Sequence, residues 1–281
     1  MKKSYIGVTV ITCLVLVIVL AVIISMQGVL TNSSPSQSAT FHGVPLCSYK
    51  VVQTYPHDSE AFTQGLTFDD KGNFLEGTGL EGASSLRRVN LTDGKVLQQT
   101  NLDKEYFGEG IAVVGDKIVQ LTWQNNIGFV YDKETFNVIE QFNFNTEGWG
   151  LTYDGTCLIL SDGTSNLYFL DATTYQTISS INIQDAEGPV ENLNELEYIN
   201  GFIYANIWFS TKIAIINPAT GQVQAYLDLE EIAQPHTTKS AAAVLNGIAY
   251  DTQTNKLYIT GKLWSNLYEI THIQPFDLKT V

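Results

Sequence analysis

Glu109-Gly110-Ile111-Ala112-Val113-Val114-Gly115-Asp116-Lys117-Ile118-Val119-Gln120-Leu121-Thr122 is a pair of apolar runs joined at a Gly-Asp turn, the pattern of two antiparallel strands. Its opening phrase returns as Gln64-Gly65-Leu66-Thr67-Phe68, Trp149-Gly150-Leu151-Thr152-Tyr153, Asn194-Glu195-Leu196-Glu197-Tyr198 and Asn246-Gly247-Ile248-Ala249-Tyr250. Successive starts lie 45, 40, 45 and 52 residues apart. A four-stranded propeller blade repeats every ~40–45 residues, so the phrase reads as the innermost strand of a blade.

Working outward from Glu109, the second repeat continues through the polar corner Gln124-Asn125-Asn126, a strand at Ile127–Tyr131, the turn Asp132-Lys133-Glu134-Thr135 and a strand at Val138–Phe144. The third and fourth repeats follow the same plan. The last repeat is one strand short, whereas a spare strand, Tyr49–Tyr55, precedes the first inner phrase. Pairing that strand with the last sheet closes the ring and removes two exposed sheet edges. The expectation is an all-β, five-bladed β-propeller closed by an N-terminal strand. Asp228–Thr238, containing Pro235, reads as an insertion before the fifth inner strand, either a surface helix or a lid-like loop.

At the N-terminus, Met1-Lys2-Lys3 precedes an uncharged stretch, Ser4–Met26, rich in Val, Ile and Leu. That exceeds the ~7–15 apolar residues of a secretory signal core and matches the ~20 needed to span a bilayer. Residues 1–30 therefore read as a transmembrane signal-anchor helix. Lys2 and Lys3 set it cytoplasmic end first. Everything beyond it is then expected outside the cytosol, membrane-anchored in a periplasmic, luminal or extracellular setting, or secreted if the segment is cleaved. Residues 31–46, Ser-rich and poor in apolar side chains, read as a tether, and 47–281 as the catalytic propeller domain.

Charged residues make up 16% of the chain and the net charge is -14, which counts against a nucleic-acid partner because phosphates would be repelled. Of three cysteines, Cys13 falls in the apolar segment; Cys47 and Cys157 are expected to be unpaired structural thiols. His42, His57, His236 and His272 have no zinc-ligand spacing. There is no Gly-x-Ser-x-Gly elbow and no phosphate-binding glycine loop. No metal or catalytic cofactor is expected, with room for a structural cation in the axial channel.

If each phrase is an inner strand, the residue that opens it faces the axial mouth on one side of the ring: Gln64, Glu109, Trp149, Asn194 and Asn246. A second position, nine residues before the turn that ends each third strand, gives Glu81, Trp123, Asp162, Trp208 and Lys262 on the same face. With Trp264, all four tryptophans are expected at or beside that face, walling a partly dry pocket. Glu109 is the carboxylate to weigh there. Indole walls disfavour its charged form and raise its proton affinity, which suits a group that takes and returns a proton.

Phe62-Thr63-Gln64-Gly65-Leu66, Phe107-Gly108-Glu109-Gly110, Gln120-Leu121-Thr122-Trp123, Glu147-Gly148-Trp149-Gly150-Leu151, Asn192-Leu193-Asn194-Glu195-Leu196-Glu197 and Leu245-Asn246-Gly247-Ile248-Ala249-Tyr250 together resemble the glutaminyl cyclotransferases of the plant and bacterial type. The resemblance runs from about Val51 to Thr271. It implies a five-bladed propeller that converts N-terminal glutamine of peptides or proteins to pyroglutamate with release of ammonia, without a catalytic zinc. By the same resemblance Glu109 is the proton-transfer residue and Lys262 stabilises developing oxygen charge. Phe62, Phe107, Trp123, Trp149 and Trp208 wall the substrate, and Gln64 and Asn194 hydrogen-bond its amide. Two other classes remain at this stage: a calcium-dependent lactonase-type propeller hydrolase and a non-catalytic extracytoplasmic binding propeller.

Overall fold

The computed structural model describes residues 39–273. The expected anchor at 1–30, the tether up to residue 38 and the tail beyond residue 273 lie outside the described residues. Three antiparallel four-stranded sheets come first. They are built from Thr63–Phe68, Phe74–Thr78, Ser85–Val89 and Val96–Asn101; from Gly108–Val114, Lys117–Thr122, Ile127–Asp132 and Val138–Asn143; and from Leu151–Tyr153, Cys157–Ser161, Asn166–Asp171 and Thr177–Asn182. Each runs in sequence order from one edge to the other.

The remaining strands form a single nine-stranded sheet. One side of it is Leu193–Ile199, Phe202–Ile207, Lys212–Ile216 and Val223–Asp228. The other is Leu245–Asp251, Lys256–Gly261 and Asn266–Ile273. Between them lies Val44–Pro56, antiparallel to the last strand (Lys50 opposite Thr271, Tyr55 opposite Leu267) and parallel to Val223–Asp228 at its start (Leu46 opposite Tyr226). An N-terminal strand thus completes the last sheet, as the spare strand implied. It begins earlier than Tyr49 because Val44 and Cys47 bury their side chains, and Thr40–Phe41 pairs back onto its first residues.

Inner strands are almost wholly buried while the outer strands of the first three sheets face water: Leu66, Leu196 and Ile248 are fully enclosed, whereas Leu97, Ile139 and Ile178 are exposed. The inner strands pack in a closed cycle, 63–68 on 108–114, then 151–153, 193–199, 245–251 and back to 63–68. Apolar clusters fill the wedges between neighbouring sheets. Leu75 and Leu86 meet Ile118 and Phe129 in one wedge, and Val119 and Leu121 meet Leu158 and Leu160 in the next. The fold is all-β and propeller-like, with one helix among the described residues, α1 at Glu230–Thr237.

The glycines of the recurring phrase answer to this cycle. A Cβ on Gly110 would lie 2.5 Å from the backbone nitrogen of Leu151, and one on Gly150 would overlap the carbonyl oxygen of Asn194. Neighbouring backbones approach so closely that Gly110 N–H donates to Trp149 O at 2.8 Å. The fourth phrase has Glu195 in the glycine's place. Its carboxylate accepts from Leu66 N–H at 3.2 Å and Ile248 N–H at 2.9 Å, tying the fourth inner strand to the first and fifth.

Candidate active site

Each inner strand starts beside the axis, and each link between second and third strands turns over the same face. Those two sets of positions converge on one cavity of about 430 Å³. Phe62, Gln64, Phe107, Glu109, Trp123, Trp149, Asn194, Trp208 and Lys262 all line it. Every side chain singled out from the sequence as catalytic or substrate-binding is therefore brought to one place.

Glu109 lies at the base, 5% exposed, and accepts a hydrogen bond from Gln64 Nε2 at 2.9 Å. Gln64 is in turn held by Asn246, whose Nδ2 donates to Gln64 Oε1 at 3.3 Å and to Thr63 O at 3.0 Å. Burial pushes the Glu109 carboxyl well above the usual carboxylate range; Lys262 pulls it down and the charge of Glu147 pushes it further up. Burial brings the Lys262 ammonium down to about 8 against the pull of Glu109. Lys262 Nζ sits 4.7 Å from the centre of the Phe62 ring, a cation–π contact that partly replaces lost hydration. Asn194 Oδ1 is a buried acceptor with no partner among the described residues.

The walls are aromatic and mutually braced. Phe107 packs edge-on against Phe62 and Trp123, and Trp149 stands perpendicular to Trp208 with centroids 5.2 Å apart. Among the described residues no three His, Cys, Asp or Glu side chains form a metal-holding group.

Several sequence positions do not reach the cavity. Trp264 is fully buried in the apolar core, donating Nε1–H to Ala243 O and stacking on His236 of α1. It stands beside the site face but packs below it. Asn246 lies one layer beneath the opening and acts through Gln64. Glu81 is exposed on the longer first turn. Asp162 caps its own turn, accepting from Thr164 N–H and Oγ1–H.

A sequence model of the family described as glutamine cyclotransferase matches residues 20–272. This chain belongs to the glutamine cyclotransferase family. A glutaminyl-peptide cyclotransferase of Arabidopsis thaliana is 40% identical over 224 residues, covering 79% of this chain and 70% of that protein. The crystal structure of Myxococcus xanthus glutaminyl cyclase is similar with a TM-score of 0.76 and 34% identity, covering 81% of this chain and 97% of the other.

Within this cyclotransferase, sequence reasoning missed Glu147 as a site residue. Its Oε2 accepts from both Trp123 Nε1 at 2.8 Å and Trp149 Nε1 at 3.0 Å, and its Oε1 from Gln124 Nε2 at 2.9 Å. Burial works against its charge, but the Gln124, Trp149 and Trp123 donors outweigh it and lower its pKa. The one available signal was its place two residues before Trp149. Phe209, Ala241, Ala242 and Val244 also line the cavity. The last three follow α1, so the insertion is a helix whose exit loop forms part of the rim.

Proposed function

We infer that this cyclotransferase acts on peptides or proteins with N-terminal glutamine, closing the residue to pyroglutamate and releasing ammonia. The observation that carries this reading is a buried carboxyl of raised proton affinity, Glu109, oriented by Gln64 at the base of an aromatic cavity. Such a group can take a proton from the substrate α-ammonium near neutral pH. The freed amine then attacks its own γ-carboxamide carbon, forming a C–N bond. Lys262 offers positive charge to the oxygen of the tetrahedral intermediate. Glu109 returns a proton to the departing nitrogen as the old C–N bond breaks. Two protons move in turn from the attacking to the leaving nitrogen, so the products are the lactam and ammonium.

Asn194 Oδ1 supplies an acceptor for the substrate's carboxamide N–H, which explains why a buried acceptor is left without a protein partner. Phe62, Phe107, Trp123, Trp149 and Trp208 hold the glutamine side chain folded back on its amine. Because the attack is intramolecular, that confinement supplies much of the rate. The scheme uses no cofactor, and a structural cation in the axial channel would stand outside it. The closed cycle of five inner strands supports a five-bladed ring as the form of this propeller domain. The apolar stretch Ser4–Met26 supports a membrane-anchored protein whose catalytic domain lies outside the cytosol.

The test is to incubate the purified protein with a Gln-initiated peptide and follow the loss of ammonia by mass. Turnover is expected in wild type, with and without chelator. Glu109→Gln should lose about 10²–10⁴-fold in kcat, the span general acid–base groups supply, with unchanged circular dichroism. Full activity in that variant would overturn the assignment of the proton carrier.

A further inference from the structure

Phe209 is 70% exposed, the most open of the large apolar side chains among the described residues. Its backbone is left-handed, φ 62, a conformation disfavoured for bulky L-residues. The matching turn of the third sheet places Gly163 there, with φ 82, and that of the fifth places Leu263, with φ 60. Leu263 packs against the apolar core; Phe209 instead stacks on Trp208, with ring centres 4.3 Å apart at 28°. The turn is fixed by backbone bonds from Trp208 N–H to Asn192 O and from Ser210 N–H to Ile207 O, both 2.9 Å. Solvent exposure and backbone preference both count against Phe209 as a packing residue, yet the turn presents it rigidly at the mouth of the cavity.

Trp149, Trp208 and Phe209 form a continuous aromatic face running from the wall of the cavity out to its rim. Ala241 and Ala242, small side chains that leave room, also line this cavity. The polar lining residues are Gln64, Glu109, Asn194 and Lys262, all buried at 2–5% exposure. With an N-terminal residue seated against Glu109, the next residue lies one backbone step of ~3.3–3.6 Å further out, towards the exposed end of this aromatic face. We propose that Phe209, with Trp208 and the Ala241–Ala242 edge, forms a subsite for the side chain of the substrate's second residue and selects apolar or aromatic groups there. A charged side chain at that position would lose water without gaining a partner. This rests on the glutamine-cyclising activity inferred above.

The experiment compares kcat/KM of the full chain for Gln-Phe, Gln-Leu, Gln-Gly and Gln-Asp peptides that are otherwise identical, in wild type, Phe209→Ala and Phe209→Leu. Wild type is expected to favour Gln-Phe and Gln-Leu over Gln-Gly and Gln-Asp by about tenfold, the size of a single apolar pocket contact, expressed chiefly in KM. Phe209→Ala should collapse that ratio towards one, and Phe209→Leu should restore it for Gln-Leu. An active wild type indifferent to the second residue, or a Phe209→Ala enzyme that keeps the preference, overturns the subsite and leaves the cyclase reading standing. Failure of all four peptides to react with wild type overturns both.

Discussion

Gln64 Nε2 donates to Glu109 Oε1 at 2.9 Å, so the carboxyl at the base of the cavity receives a neutral donor rather than a cation. A lysine in that place would hold Glu109 permanently ionised and unable to give its proton back. Removing the donor with Gln64→Leu should lower kcat about 10–100-fold, the range for a hydrogen bond to a charged group. Circular dichroism should stay unchanged. Steady-state kinetics on a Gln-initiated peptide checks this, and a change confined to KM would contradict it.

The pH profile follows from the two opposed ionisations. Glu109 must be a carboxylate to accept the α-ammonium proton, and burial raises its pKa, so the acid limb of kcat should lie above the ordinary carboxylate range. Lys262 must keep its charge, and burial lowers it to about 8, so activity should fall as pH rises past that value. The groups acting on this pair are Glu147 on Glu109 and the Phe62 ring under Lys262. Lys262→Arg keeps a cation at every accessible pH, and its alkaline limb in kcat should move up even if total activity drops. An unmoved limb would assign that ionisation elsewhere.

Glu147 ties two walls of the cavity to one oxygen. In Glu147→Ala both indole N–H groups lose their acceptor, and KM should rise about tenfold, near the lower end of what a hydrogen bond to a charged group contributes. The near-UV circular dichroism of Trp123 and Trp149 should change with it. Glu147→Gln removes the charge that helps raise Glu109, so its acid limb should shift to lower pH. A Gln variant with the wild-type profile would show that only packing matters there.

Glu197, deep in the axis, accepts from Tyr250 N–H at 2.9 Å and is raised by burial from 4.5 to about 8. The folded state therefore prefers it protonated. Its stabilising contribution is complete below pH 4.5 and is lost as pH rises towards 8. Glu195, raised in the same direction by burial and by Glu197, adds to that slope. Melting curves of wild type and Glu197→Gln should separate across this window, with the variant the more stable at its upper end. A widening of about 2–4 °C corresponds to roughly 1 kcal/mol in a domain of this size. Parallel curves would refute the assignment.

The cycle of inner strands is tightest at its glycines. Gly150→Ala places a methyl group against the Asn194 carbonyl, and backbone cannot yield as a side-chain tip can. A loss of about 1–3 kcal/mol is expected for overpacking, read as a lowered denaturant midpoint. Gly115→Ala meets nothing but carries φ 61, so it reports backbone preference alone and serves as the control.

What was legible in the sequence was whatever the cycle of strands repeats. Backbones meeting near the axis demand glycine after the opening residue, and that demand exposed Gln64, Glu109 and Trp149; Asn194 was found by register with them, since Glu195 stands in the glycine's place. Counting from the outer turns located Trp123, Trp208 and Lys262. The same count failed at Glu81 and Asp162, because those turns differ in length and capping and a fixed offset cannot see it. Asn246 shares the register of the opening residues and Trp264 follows Lys262 by two, but both sit one layer down, where a one-dimensional pattern has no depth. Glu147 and Phe209 were invisible for a different reason. Each bears on indoles that lie next to it in space, Glu147 on Trp123 and Trp149 and Phe209 on Trp208, and the repeat marks the residues beside them rather than these two.

The strand Val44–Pro56 has a consequence for biogenesis. It precedes all five inner strands in the chain, yet its antiparallel partner, Asn266–Ile273, follows all five. Until Asn266–Ile273 has emerged, that strand pairs only with Thr40–Phe41 and Val223–Asp228, and the growing ring keeps an open edge. Contacts so distant in sequence slow folding, and unpaired edges invite misassembly while they last. A nascent chain stalled before residue 266 therefore cannot close the ring.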